Sequence, residues 1–224
     1  MKTMRTSFSS GFCTWMVGFM FLFAPFALQN AQAQSSSNFV LVKLPRGIEL
    51  QIPKSWELLG ADLNRVLETS TEATMDLSGI GLPRGSRTNL LTATSIPRST
   101  YAVVRVTSTI PPSVAPSQLL SISADDIRDL QTEMRQILEK GLSFEGIKLI
   151  KFFGSRIERI SGHPAIVTEY RQTDPNGPLF VQINQIFTNS QEIGIGLSYR
   201  ESEALLWKSV VGKIKKSIVV RRWP

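Results

Sequence analysis

Closely spaced β-type segments fill residues 147–220 and constrain the fold of this chain more than any other feature. Strands are predicted at residues 147–153 (or as far as 160), 165–172, 180–188 and 193–199. The short segments between them are rich in Gly, Pro, Asn and Ser, which favour turns. Two neighbouring strands that ran parallel would need a connection of about a dozen residues or more between them. The spacing therefore predicts an antiparallel meander, which one amphipathic helix at 202–218 follows.

The last predicted strand has one apolar and one bare face. Alternation places four apolar side chains on the face that we expect to meet the core: Ile193, Ile195, Leu197 and Tyr199. The other face carries only small residues: Gly194, Gly196 and Ser198. A strand without side chains lets another group approach its backbone closely. We expect a packed helix over this face, and a ligand groove is the alternative.

Two amphipathic helices are predicted in the second half of the chain. The first spans 125–140, and Ser123 with Asp126 three residues later forms an approximate capping box at its start. Gly141 is predicted to end it as a left-handed cap residue. The second helix, 202–218, begins at Ser202 and places Trp207 on its apolar stripe.

The first half of the chain gives weaker signals. Short β-type runs are predicted at 39–44, 47–52, 90–96 and 101–109, and a helix is predicted at 62–75. Trp56 follows a Pro-containing turn and is predicted to anchor that corner in the core. The prolines between 111 and 116 predict a stiff connection without regular structure.

The loop at 78–87 contains glycines together with Arg84 and Arg87, a composition that suggests an anion cradle. Phosphate loops, however, follow a strand and open a helix, so that helix amides point at the phosphate. Here a predicted helix precedes the loop and a strand follows it. A structural loop is the interpretation, and Arg84, Arg87 and the terminal Trp223 remain candidate binding residues.

The N-terminus has the pattern of a secretory signal peptide. Lys2 and Arg5 precede an almost wholly apolar run at 12–28, and Ala31-Gln32-Ala33 resembles a cleavage site. We therefore predict a signal peptide at 1–33 and a single domain at 34–224, exported to the periplasm or secreted. An uncleaved membrane anchor is the alternative. No later apolar run is long enough to span a membrane.

Residue composition limits the chemistry. The single cysteine lies in the predicted signal peptide, and His163 is the only histidine, in a predicted turn. Cysteine zinc sites and thiol catalysis are excluded for the exported chain, and no Gly-x-Ser-x-Gly elbow supports a serine triad. Glu158 and Glu169 are predicted to be surface charges facing Arg156 or Arg171. We expect no catalytic residue, cofactor or metal site.

Three short pieces of the chain resemble the Mog1/PsbP-like superfamily. These are the stretch from Gly47 through Pro53 to Trp56, the Gly162-His163-Pro164-Ala165 hairpin, and Leu197-Ser198-Tyr199 leading to Trp207. The resemblance implies an α+β fold, an α-β-α sandwich with a central, mostly antiparallel sheet. It also implies a binding or assembly module that is not an enzyme.

These observations lead to a functional expectation. The formal net charge is +7, and Lys2 and Arg5 of the predicted signal peptide contribute two of these charges. For an exported protein this charge does not predict nucleic acid as a partner. We expect a non-catalytic binding or assembly accessory protein of the bacterial envelope, with another envelope protein as its partner. The alternative is a small-ligand or metal-ion binding protein that uses the open side of the meander, and a hydrolase is the third option.

Overall fold

The computed structural model of the protein describes residues 38–59 and 87–222. Several sequence predictions therefore lie outside the described residues. They are the signal peptide at 1–33, the helix at 62–75, Arg84 with its loop up to residue 86, and Trp223.

The larger of two sheets is antiparallel and has seven strands. Its order is β3-β4-β5-β9-β8-β7-β6. The strands are β3 (Glu57–Leu58), β4 (Arg87–Thr94), β5 (Ala102–Thr109), β6 (Leu149–Ile160), β7 (His163–Gln172), β8 (Leu179–Phe187) and β9 (Glu192–Arg200). The predicted meander is confirmed as β6 to β9. Strand β6 extends to Ile160, the later of the two ends predicted for it.

The turn between β6 and β7 shows why the meander is so tight. Ser161 (φ 53°) and Gly162 (φ 82°) both adopt positive φ, so a two-residue loop joins the paired Ile160 and His163. Turns of this kind match the natural twist of the strands they connect. His163 is therefore the first residue of β7, in a position that the hairpin itself explains.

A smaller sheet with the order β1-β2-β10 lies beside the first. Its strands are β1 (Phe39–Leu44), β2 (Ile48–Pro53) and β10 (Val219–Val220). The predicted second run began at Gly47, but Arg46 (φ 63°) and Gly47 (φ 74°) form the turn before β2. The buried Gln191 joins the two sheets, because its Nε2 donates to the Arg46 carbonyl at 2.9 Å and its Oε1 accepts from Ser108 at 2.7 Å.

The main core lies between the two sheets and the C-terminal helix α3 (Ala204–Lys216). The rings of Trp56 and Trp207 meet edge to face with centroids 5.7 Å apart, and both side chains are buried. The predicted anchoring role of Trp56 is confirmed. Ser202 does not cap the helix, because a short 3-10 turn at Glu201–Glu203 precedes it and Glu203 is the cap residue.

Helices α1 (Pro116–Leu120) and α2 (Ala124–Phe144) cover part of the opposite face of the large sheet. The expectation that the prolines exclude regular structure is wrong for α1. Pro116 takes the first helical position, where its missing N–H would have no partner in any case. The capping box of Ser123 and Asp126 is confirmed, with both reciprocal hydrogen bonds present.

The predicted end of α2 is wrong. The helix continues through Gly141 to Phe144, and Gly146 (φ 70°) takes up the left-handed conformation just beyond it. Glycine adopts the left-handed conformation at little cost in free energy. The chain has two glycines, Gly141 and Gly146, within six positions, and either could end the helix. Because Gly146 rather than Gly141 is the left-handed residue, α2 is about one turn longer than predicted.

Candidate ligand-binding cleft

A cleft of about 480 Å³ lies between the C-terminal half of α2 and the central strands of the large sheet. Strands β5, β9 and β8 form its floor, and α2 forms one wall. The sheet face concerned is the one opposite the main core, because residues alternate along β9 between core and cleft. Among the described residues, helices α1 and α2 leave this middle part of the face open.

The floor of the cleft contains the bare face of β9 that the sequence predicted. Gly194, Gly196 and Ser198 all line it. A Cβ atom on Gly194 would lie 2.6 Å from Oγ1 of Thr107, whereas a Cβ atom on Gly196 would meet nothing within 4 Å. Ser198 hydrogen-bonds to the side chain of Tyr101. Free space is therefore concentrated above Gly196.

Of the described helices, α2 is the one that reaches this part of the sheet face. Helix α2 is held further along the sheet, where Nε2 of Gln131 donates to the carbonyl of Ser155 on β6 at 2.8 Å. Its C-terminal half lines the cleft together with Gly194, Gly196 and Ser198. The alternative interpretation, a groove along the meander, agrees with this geometry.

The walls of the cleft are mainly apolar. In the strand pairing Gly196 lies between Arg105 of β5 and Ile183 of β8, and Ser198 lies between Val103 and Val181. Helix α2 adds further apolar side chains to the wall: Ile137, Leu138 and Leu142. Small-molecule sites are typically concave and apolar with a few placed polar groups, and this lining has that character.

Four charged side chains line the cleft. Arg87 and Arg105 line it on β4 and β5, and Glu145 and Asp174 line it near the turns that flank β8 and α2. Asp174 also shapes its own turn, because its Oδ1 accepts from the backbone N–H of Asn176 at 3.0 Å. Arg87 is thus placed in the cleft as the first residue of β4.

Two tyrosines contribute hydroxyl groups in their neutral form. Burial raises the pKa of Tyr170, and the nearby negative charge of Glu145 raises it further. Burial also raises the pKa of Tyr101, more than the hydrogen bond from Ser198 lowers it. Both phenols line the cleft and are available as hydrogen-bonding groups.

Several cleft residues were not singled out from the sequence. Arg105 and Tyr170 look like ordinary members of alternating strands, and only the register of the sheet brings them to the same face. The one available signal was the period of two along β5, which puts Arg105 on the side of Val103 and Thr107 rather than in the core.

Glu158 and Glu169, predicted from the sequence as surface charges facing Arg156 or Arg171, lie on the opposite face of the sheet, outside the cleft. Arg156 bridges Glu158 at 2.6 Å and Glu169 at 3.0 Å, and Lys215 pairs with Glu158 at 2.9 Å. Burial alone would raise the pKa of both carboxyls, but the hydrogen bonds from these cations and from Gln182 outweigh it and lower the pKa. Arg171 pairs with Glu201 instead.

Within the two described ranges, no three His, Cys, Asp or Glu side chains come together as a set that could hold a metal ion. No described helix is both long and apolar enough to cross a membrane.

The two layers of helices around a mostly antiparallel sheet define the PsbP-like fold, as the sequence resemblance implied. The solution structure of the cyanobacterial PsbP protein CyanoP from Synechocystis sp. PCC 6803 is similar, with a TM-score of 0.51 and 13% sequence identity. The match covers 87% of this chain and 99% of that chain.

Two further solved structures match with lower scores. LpqN from Mycobacterium tuberculosis, described as involved in cell envelope biogenesis, matches with a TM-score of 0.42 and 10% identity over 81% of this chain and 89% of its own. A protein of unknown function from Pseudomonas aeruginosa, a putative regulator, matches with a TM-score of 0.37 and 14% identity over 83% and 99%. No protein-family model and no curated protein sequence matches this chain.

Proposed function

We propose that this protein is an exported, non-catalytic binding protein of the bacterial envelope and that its ligand occupies the cleft above Gly196. The observation that carries the proposal is the free space at this glycine, where a Cβ atom would meet no atom of the described residues within 4 Å. Protein interiors are close-packed, so space in the middle of a sheet face is unusual. Its volume of about 480 Å³ falls within the range of about 300 to 1,000 Å³ that is common for small-molecule sites.

The chemistry of the lining supports binding rather than catalysis. Ser198, the hydroxyl on the floor, is hydrogen-bonded to Tyr101 and not to a histidine. The only histidine, His163, begins β7 at a hairpin and does not line the cleft. Raised pKa values keep both cleft tyrosines protonated at neutral pH, so neither is a general base there.

Export is supported by the sequence alone. Lys2 and Arg5, the apolar run after them, and Ala31-Gln32-Ala33 together form the signal-peptide pattern. The mass of the protein from an envelope fraction tests this part, since cleavage after Ala33 removes a defined segment. An intact N-terminus would indicate an anchor.

Native mass spectrometry tests the binding function directly. The purified protein is incubated with an extract of bacterial envelope small molecules and lipids, and retained ligands are measured from the mass shift. We expect one bound ligand on the unmodified protein. The variant Gly196→Leu should lose it, because the new side chain occupies the space above the strand.

The matched control is Gly212→Ala in α3. A Cβ atom at Gly212 also meets nothing within 4 Å, but this glycine lies on the other side of the sheet from the cleft. The control should retain the ligand. Equal binding by the protein and Gly196→Leu, or no retained ligand on either, would contradict the proposed function.

A second candidate function, assembly with another envelope protein, is favoured by the outer edge of the large sheet. Strand β6 is last in the sheet order and exposes Ile150 and Phe153 at 44% each. Nζ of Lys151 lies 5.1 Å from the centroid of the Phe153 ring. Both residues lie at register shifts in the β6–β7 pairing, and such bulges oppose the addition of a strand at an edge. A partner would therefore pack on the exposed apolar side chains rather than extend the sheet.

Affinity capture from an envelope fraction separates this candidate from the first. If β6 is the docking edge, Ile150→Lys should lose a partner that the unmodified protein retains. Leu205→Lys is the matched control, because Leu205 is fully exposed on α3 and lies away from β6. Retention of the same partner by Ile150→Lys would contradict the docking role of this edge.

A further inference from the structure

We propose that the protein lies on an anionic lipid surface through one face, which α3 and the outer side of the small sheet form together. This basic face carries six exposed residues that the argument uses: Leu41, Leu205, Leu206, Lys208, Lys216 and Val219. The contact is separate from the ligand cleft, because the basic face and the cleft lie on opposite sides of the large sheet.

The first feature that supports the contact is the outer side of α3. The buried side chains of this helix form one stripe: Trp207, Val210, Val211 and Ile214. With about 100° between successive residues, Leu205 and Lys216 lie opposite this stripe, and Lys208 lies to one side of them. Leu205 is fully exposed and Leu206 is 49% exposed. Binding to a bilayer surface grows with the apolar area that enters the interface and with the number of basic groups near anionic lipids, and α3 presents both.

The second feature is that the small sheet continues this face. The backbone N–H of Gln51 donates to Oγ of Ser217 at 2.8 Å, so β2 lies beside the end of α3. Alternate residues of β2 are buried in the core that α3 also covers, so the residues paired with Glu49 and Gln51 point outward. Two exposed apolar residues occupy these positions, Val219 opposite Glu49 and Leu41 opposite Gln51.

The third feature is charge complementarity with an anionic surface. Helix α3 contains four lysines and no acidic residue. Lys215 is paired with the large sheet, whereas Lys208 and Lys216 are exposed and form no ion pair with a described residue. On the small sheet the carboxylate of Glu49 is paired with Arg221. The exposed charge of the basic face is therefore positive.

The opposite side of the molecule has the other sign of charge and gives the protein an orientation. Helix α2 exposes five acidic and three basic residues, whereas the exposed charged residues of α3 are all lysines. An anionic surface attracts the side of α3 and disfavours the side of α2. Helix α2 and the cleft that it lines therefore face away from the lipid.

Co-sedimentation of the purified protein with lipid vesicles tests the contact. Vesicles of phosphatidylglycerol and phosphatidylethanolamine supply an anionic surface, and vesicles of phosphatidylcholine supply a neutral one. We expect the protein to bind the anionic vesicles roughly tenfold or more tightly, because several lysines contribute together. A salt concentration of about 1 M should weaken this binding, because it shortens the screening length to about 3 Å.

Variants of the basic face separate its charged and apolar contributions. Lys208→Gln and Lys216→Gln should each weaken binding to anionic vesicles about fivefold, which is the expected contribution of one lysine near an anionic surface. Leu205→Gln should also weaken binding several-fold but keep the preference for anionic vesicles, because it removes apolar area and no charge. All proteins carry the same N-terminus, so that segment contributes equally to each measurement.

Lys140→Gln and Leu120→Gln are the matched controls. Lys140 is exposed on α2 and Leu120 is 55% exposed on α1, and both helices lie across the large sheet from α3. Both variants should bind anionic vesicles as the unmodified protein does. Thermal unfolding of every variant checks that it is folded.

Three results would overturn the lipid contact. They are equal binding to anionic and neutral vesicles, losses in the control variants as large as those at Lys208 and Lys216, and no binding to either kind of vesicle. The last result is expected if an acidic protein covers the basic face instead. None of these results changes the proposed function, because none of the substituted residues lines the cleft.

Discussion

Thr107 and Gly194 fit so closely across β5 and β9 that a Cβ atom on Gly194 would lie 2.6 Å from Oγ1 of Thr107. Gly196, two residues further along the same face, has open space above it. Different physical causes therefore explain why glycine stands at these two positions of the bare strand. At Gly194 the neighbouring side chain excludes a larger residue, whereas at Gly196 the space is left for something outside the strand.

The first prediction contrasts these two glycines. Gly194→Ala should destabilise the protein by about 1 to 3 kcal/mol, because the added methyl group forces the buried Thr107 to move. Gly196→Ala should be neutral or stabilise it by up to about 1 kcal/mol, because it lowers the entropy of the unfolded chain without a clash. Urea unfolding of both variants measures the difference. Equal destabilisation at the two positions would show that Gly196 is also sterically required.

The second prediction concerns the end of α2. Gly141→Ala should raise the free energy of unfolding by about 1 kcal/mol, because Gly141 is helical and a Cβ atom there meets nothing within 4 Å. Gly146→Ala should lower it by about 1 kcal/mol, because φ is 70° at this residue. Thermal or urea unfolding tests both. The reverse order would mean that the helix ends at Gly141.

The third prediction concerns Glu203, which connects α3 to the large sheet. Its Oε2 accepts from the backbone N–H of Tyr101 at 2.7 Å and from Nε1 of Trp207 at 3.1 Å, and its Oε1 accepts from Arg200 at 2.7 Å. Glu203→Ala leaves all three donors without this acceptor and should cost about 2 to 4 kcal/mol in urea unfolding.

Glu139→Ala is the control for Glu203. Glu139 forms an exposed pair with Arg135 one turn away on α2, and such surface pairs contribute about 0.5 kcal/mol or less. Similar losses for the two alanine variants would contradict the structural role of Glu203.

The fourth prediction is a pH dependence at Glu169. Its pKa lies below the ordinary value of 4.5, because hydrogen bonds from Arg156 and Gln182 outweigh the effect of burial. A carboxyl with a lowered pKa stabilises the folded state above the ordinary value and loses that contribution as the pH falls through its folded value. Glu169→Gln should therefore be less stable than the unmodified protein at neutral pH, and the gap should narrow below about pH 4.5.

Urea unfolding at neutral pH and at about pH 3 measures this gap. Asp125→Asn is a suitable control, since Asp125 forms only an exposed pair with Arg128 on α2. A constant gap between Glu169→Gln and the unmodified protein at both pH values would show that the carboxylate charge is not what stabilises this site.

The sequence predicted the elements whose signals are local. Alternation in β5, the turn residues between β6 and β7, and the capping box of Ser123 and Asp126 each reflect physics within a few residues. The predictions of secondary structure were wrong where two local sequence signals competed. Gly141 and Gly146 both fit a helix end, and Pro116 fits both a stiff connection and a first helical residue.

The candidate site was only partly predictable for a different reason. The pattern in β9 showed that Gly194, Gly196 and Ser198 share a bare face, but it did not show what lies opposite. That depends on contacts far apart in sequence, such as the hydrogen bond of Gln131 with Ser155, which links α2 to β6. Arg105 and Tyr170 likewise reach the cleft only through strand register.

The most direct test of the binding cleft uses the backbone amides of its glycines as reporters in two-dimensional NMR. On titration with the extract of bacterial envelope small molecules and lipids, the amide resonances of Gly194, Gly196 and Gly141, which line the cleft, should shift. The resonances of Gly162 in the β6–β7 turn and Gly212 in α3 should stay in place. Shifts centred on Gly162 or Gly212, or a resonance of Gly196 that the extract does not move, would contradict ligand binding in this cleft.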